Sequence, residues 1–99
     1  MNKVPRPTHI TVMGRKFKIT QPDKVDENDS LGDSHVSDKL IQIRKGQSDL
    51  EFETVLLHEV IHMALGVSGN SEDMPDGMEE RIVLCLEYAL IELYQRIKK

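Results

Sequence analysis

The stretch between Ser48 and Gly66 constrains this chain most. Ser48 and Glu51 have the spacing of a capping box. Gly66 stands where a helical C-terminal stop is expected. The spacing therefore predicts a helix from Ser48 to about Leu65. Leu50, Phe52, Val55, Leu56, Leu57, Val60, Ile61, Met63, Ala64 and Leu65 put apolar groups on nearly every side of it, and a helix that is apolar all round is a buried one. Yet its centre reads His58-Glu59-Val60-Ile61-His62. Burying neutral polar groups without partners costs roughly 2–7 kcal/mol each, so these side chains need partners.

Residues four apart on a helix are neighbours on one face. His58 and His62 can thus aim both imidazoles at a single ion, about 2.0–2.1 Å away for Zn2+. Glu59 lies roughly 100° further round. It cannot act as a third ligand beside them, but it reaches the open coordination position where a water sits. The pattern is short enough to arise by chance, and the buried setting carries the reading. The bland alternative is two histidines hydrogen-bonded in a core, with Glu59 at a surface edge.

A catalytic zinc site usually has three protein ligands and one open position. A longer pattern with a third histidine six residues after His62 is excluded, because Ser68 stands there and Leu65 replaces the required glycine. The remaining candidates are Glu79 and Glu80, on a second helix expected from about Asp76 to about Ile97. At about 100° per residue, the apolar stripe of that helix is Ile82, Val83, Leu86, Leu90, Leu93 and Ile97. Glu79 falls in the middle of the stripe, and Glu80 on the opposite side with Glu87. If the stripe faces inward, Glu79 is the first choice as ligand and Glu80 the second. Asp76 and Glu79 also have capping-box spacing, which gives Glu79 a purely structural alternative.

The rest of the chain surrounds these helices. Ile10 and Val12, then Phe17 and Ile19, alternate with polar neighbours about Gly14, a hairpin signal over residues 8–19. Pro5 and Pro7 keep the start out of any helix. Residues 20–38 are polar and acidic, broken by Pro22 and Gly32, and read as loop with a short strand or turn near Leu31. The acidic run from Asp23 to Asp33 lacks the spacing of a calcium loop, so it reads as a solvated loop or a lid. Residues 39–45 form a third strand candidate, ended by Gly46. Two or three strands, expected as a small antiparallel sheet, followed by two helices predict an α+β fold, as one domain over residues 1–99.

Composition excludes several function classes. With 13 basic and 17 acidic residues the net charge is -4, which argues against a nucleic-acid surface. No apolar run has the length of a membrane span. One cysteine, Cys85, cannot form an intrachain disulfide, and without a signal peptide at Met1 a cytoplasmic location is expected. Cys85 lies between Leu84 and Leu86 and is expected to be a small buried thiol.

The stretches Leu56–Leu65 and Glu79–Leu86 resemble a minimal gluzincin, the group of zinc peptidases whose third ligand is a glutamate on a helix after HExxH. They are most similar to the small zincin-like HExxH proteins of phages and prophages, distantly related to the ImmA/IrrE metallopeptidases. With the strand before the first helix, the likeness covers residues 39–97. It implies a zinc-dependent hydrolase of a protein or peptide substrate. Zinc would acidify a water, and Glu59 would take its proton as general base and pass it to the leaving amine. The candidates for stabilising the oxyanion are Tyr88, Tyr94, His9 and His35. A second row on the second helix, Leu84, Tyr88 and Ile91, is either a homodimer or partner surface or a face covered by the N-terminal residues or hairpin. The rival reading is a non-catalytic, zinc-containing interaction module. A metal-dependent nuclease fits less well, since its small-ribonuclease form needs a third histidine.

Overall fold

In the computed structural model, which describes residues 6–98, four strands precede two helices, an α+β order. The strands are β1 (His9–Val12), β2 (Arg15–Thr20), β3 (Gly32–His35) and β4 (Leu40–Ile43), and the helices are α1 (Asp49–Val67) and α2 (Met78–Lys98). Pro5 lies outside the described residues.

β1 and β2 form the expected hairpin, with Val12 paired to Arg15 across a two-residue turn. Met13 and Gly14 both have positive φ, at 49° and 82°. That combination suits the twist of a two-residue hairpin and explains the glycine. The sheet is mixed and not wholly antiparallel as expected: its order is β1-β2-β4-β3, with β2 and β4 parallel, because the chain crosses over through β3 before β4, and β3 antiparallel to β4. Val12, Phe17, Ile19, Ile41 and Ile43 project from one face and pack with Phe52 and Met63 of α1. Ile19 sits opposite Ile41 in the register.

The fourth strand, β3, lies where a loop with at most a short strand was expected. Its residues, Gly-Asp-Ser-His, are all poor or indifferent strand formers; pairing with β4 holds them extended. Gly32 is a packing residue here and not a breaker. A Cβ at that position would lie 2.6 Å from Val55 Cγ1 and 3.0 Å from the Gln42 carbonyl, so only glycine lets the edge strand approach α1 this closely. The acidic loop before β3 is organised by Asp26, whose carboxylate accepts from the Ser30 hydroxyl at 2.7 Å and from the Asn28 and Ser30 amides at 3.0 Å each. Arg44 anchors the same loop at Asp29, 2.7 Å away.

The capping box of α1 is formed. The Glu51 amide donates to Ser48 Oγ, and the Ser48 amide donates to the Glu51 carboxylate. The helix passes through Gly66 to Val67, and the left-handed residue beyond it is Gly69 (φ 82°). Gly66 instead makes room for Val36, since a Cβ there would stand 3.0 Å from Val36 Cγ2. No residue from Phe52 to Val67 is exposed, as the apolar surround requires.

The orientation of α2 differs from the expectation. Glu80, Val83 and Glu87 share the face turned to α1: Val83 is fully buried and Glu87 is 9% exposed. Apart from Val83, the long apolar stripe lies about a quarter turn away, with Leu93 52% and Ile97 74% exposed. Cys85 lies on the outer side and is exposed, not buried. Leu84 and Tyr88 are exposed, while Ile91 lines a groove with Ile10 of the hairpin. No helix is long and apolar enough to cross a membrane among the described residues.

Candidate metal centre

α1 presents His58 and His62 one turn apart, with ring centroids 4.9 Å apart and planes at 62°. The opening of α2 crosses them, after a loop that ends at Gly77 (φ 82°). Glu80 spans the pair. Its Oε1 stands 3.1 Å from His58 Nε2, and its Oε2 stands 3.1 Å from His62 Nε2. Ligand atoms of His58, His62 and Glu80 all lie within 4.8 Å of one another. Two ligand atoms about 2.0–2.1 Å from a tetrahedral ion are roughly 3.3 Å apart, close to the separations seen here.

The other ring nitrogens are engaged as well. His62 Nδ1 lies within hydrogen-bond distance of Glu79 Oε2, at 2.6 Å, and His58 Nδ1 lies 3.5 Å from Glu87 Oε1. Each imidazole therefore faces carboxylates on both sides. A neutral imidazole carries only one N–H and cannot satisfy both, whereas an imidazolium or a bound cation does. A cation between the Nε2 atoms and Glu80 satisfies them together, and nitrogen-plus-carboxylate donors are those that zinc takes. The residues fit the ion. Of the two glutamates expected from sequence, Glu80 meets the shared nitrogens, and Glu79 meets His62 from behind instead of capping its own helix.

Glu59 is 7% exposed. Burial pushes its carboxyl above the ordinary carboxylate range, against the opposing pull of the Ser34 hydroxyl bonded to it and of the two histidines. The Ser71 hydroxyl, with His62, holds Glu79 below that range, outweighing its slight burial. Glu59, both histidines, Glu80 and the strand residues Asp33 and Ser34 line an open cleft of about 580 Å³. The cleft runs along β3, one of the two edge strands of the sheet.

None of the four candidates for oxyanion stabilisation lines this cleft. His9 lies on β1 beside Thr8, and His35 is paired to Asp33 at 3.1 Å. Tyr88 is exposed, and Tyr94 lines the apolar groove with Ile10 and Leu57. Sequence reasoning missed Ser34, Ser71 and Glu87. The two serines sit in polar stretches with no pattern to mark them. Glu87 had one signal, its position two helical turns after Glu80 on the same face. No family model, no curated protein and no solved structure matches this chain.

Proposed function

We propose that this chain is a zinc-dependent peptidase of the minimal gluzincin kind, with His58, His62 and Glu80 holding the metal and Glu59 serving as general base. The observation that carries this reading is Glu80 bridging both Nε2 atoms at 3.1 Å, with the buried carboxylate of Glu59 beside them. When bound, zinc acidifies a water and polarises the substrate carbonyl. Glu59 accepts the proton of the attacking water and passes it to the nitrogen of the leaving amine. Ser34 fixes the direction in which the carboxylate points. The outer edge of β3 lies along the cleft, so an extended peptide pairs there as an added strand.

The rival reading, a zinc-containing interaction module, draws on the exposed apolar residues of α2, Leu86, Leu93 and Ile97. Structural zinc needs no base beside it, and Glu59 therefore favours the enzyme.

The test compares metal content and hydrolysis of a mixed peptide library for wild type, Glu59→Gln and His62→Ala. One zinc per chain in wild type and Glu59→Gln, loss of zinc in His62→Ala, and cleavage by wild type alone support the peptidase. Zinc in wild type without cleavage of any peptide supports the module. Absence of zinc after reconstitution refutes both.

A further inference from the structure

Glu87 is a carboxylate with 9% of its surface exposed, in a pocket shared with Leu31, Val55 and Leu84. Ser30, Glu59 and His58 line the same pocket, and a buried charge requires a partner. The structure gives it the Nδ1 side of His58, 3.5 Å away. Glu79 stands in the equivalent place for the other ring, 2.6 Å from His62 Nδ1, and is itself braced by the Ser71 hydroxyl. Both Nε2 atoms face Glu80. The two rings are thus arranged similarly, with a carboxylate behind Nδ1 and Nε2 turned to the shared point, although Glu79 is hydrogen-bonded to its ring and Glu87 stands 3.5 Å from its own.

We infer that Glu79 and Glu87 are positioning residues, one behind each histidine, which hold the Nδ1–H tautomer and aim both Nε2 lone pairs at the metal position. This rests on the zinc reading above. A carboxylate accepting from Nδ1–H fixes the ring about its own axis and makes the distal nitrogen a better donor. It also gives the first half of α2 three separate carboxylate roles within nine residues. Glu80 ligates, while Glu79 and Glu87 orient. The same face of α2 that carries Val83 into the contact with α1 carries Glu80 and Glu87, so the packing of that helix and the alignment of the rings are one event. The assignment separates Glu79 from ligation: it approaches His62 at the nitrogen opposite the one that Glu80 meets.

The experiment measures zinc affinity by competition with a chromophoric chelator, together with the imidazole N–H signals of the zinc-loaded protein by NMR. It uses wild type, Glu79→Gln, Glu79→Ala, Glu87→Gln, Glu87→Leu and Glu80→Ala. Glu79→Ala and Glu87→Leu are expected to keep one zinc per chain while binding it about 10–100-fold more weakly. The glutamine variants retain an acceptor oxygen and should lose less. Glu79→Ala should abolish the protected Nδ1–H signal of His62 and leave that of His58, with the reverse in Glu87→Leu. Glu80→Ala should suffer the largest loss of affinity. If wild type binds zinc and both positioning variants match it in affinity and N–H signals, the inference is wrong. It is equally wrong if Glu79→Ala loses zinc while Glu80→Ala keeps it, since Glu79 would then be the ligand. A wild type that takes up no zinc instead sinks the reading beneath it.

Discussion

Replacing Gly32 with alanine puts a methyl group at the place where the edge strand meets the helix that carries the site. The new Cβ would stand 2.6 Å from Val55 Cγ1, 3.0 Å from the Gln42 carbonyl oxygen and 3.6 Å from Glu59 Cγ. Carbon atoms in contact prefer about 3.5–4.0 Å, so the Val55 methyl is about 1 Å too close. Val55 is β-branched and stiff at χ1. The Gln42 carbonyl belongs to β4, which is held on both sides by its neighbours in the sheet. Neither can yield without a backbone shift, and overpacking of this kind costs about 1–3 kcal/mol. At about 4–8 °C per kcal/mol for a domain of this size, a cost near 2 kcal/mol lowers Tm by about 8–16 °C. Thermal unfolding followed by far-UV circular dichroism measures it. Val55→Ala in the Gly32→Ala background should recover part of the loss, giving a coupling of at least about 0.5 kcal/mol in a double-mutant cycle. A Tm for Gly32→Ala within about 2 °C of wild type would refute the close approach of β3 to α1.

Three further outcomes follow from the same geometry. Val83 is fully buried and Leu93 is 52% exposed, so Val83→Ala should destabilise by about 1–3 kcal/mol and Leu93→Ala by about 0.5 kcal/mol or less in denaturant titrations; the reverse ranking would mean that α2 faces α1 with its long stripe. Ser48→Ala removes the hydroxyl that accepts from the Glu51 amide and should cost about 1 kcal/mol by urea unfolding. Asp26 is held below the ordinary carboxylate range, first by the Ser30 amide and hydroxyl. Its folded proton affinity is lower than its unfolded one, so its contribution is present above the unfolded pKa of about 3.9 and fades as pH falls through the folded value. Asp26→Asn should therefore be less stable than wild type at pH 7, with the gap closing in strong acid; a gap independent of pH would contradict the hydrogen-bonded charge.

Elements with a local physical signature were legible in the sequence. The turn at Gly14, the capping box at Ser48 and the four-residue spacing of His58 and His62 are each fixed by backbone geometry within a few residues. What the sequence hid depends on neighbours distant in the chain. Gly32-Asp33-Ser34-His35 has no strand preference, and it is extended because β4 pairs with it and α1 leaves room for a glycine. The rotation of α2 could not be read from its stripe, because the helix has apolar residues on more than one side. The face chosen is the one that brings Glu80 and Glu87 to the histidines, which leaves Leu86, Leu93 and Ile97 outside and exposes Cys85. Both glutamates proposed from sequence do reach His62, but at different nitrogens, a distinction that only the crossing of the two helices decides.

Zinc-edge X-ray absorption on the reconstituted wild type tests the centre most directly. Four light-atom scatterers at about 2.0–2.1 Å are expected, with the outer-shell signature of two imidazoles. A six-oxygen shell without imidazole, or a protein that loses its zinc on gel filtration, would contradict it.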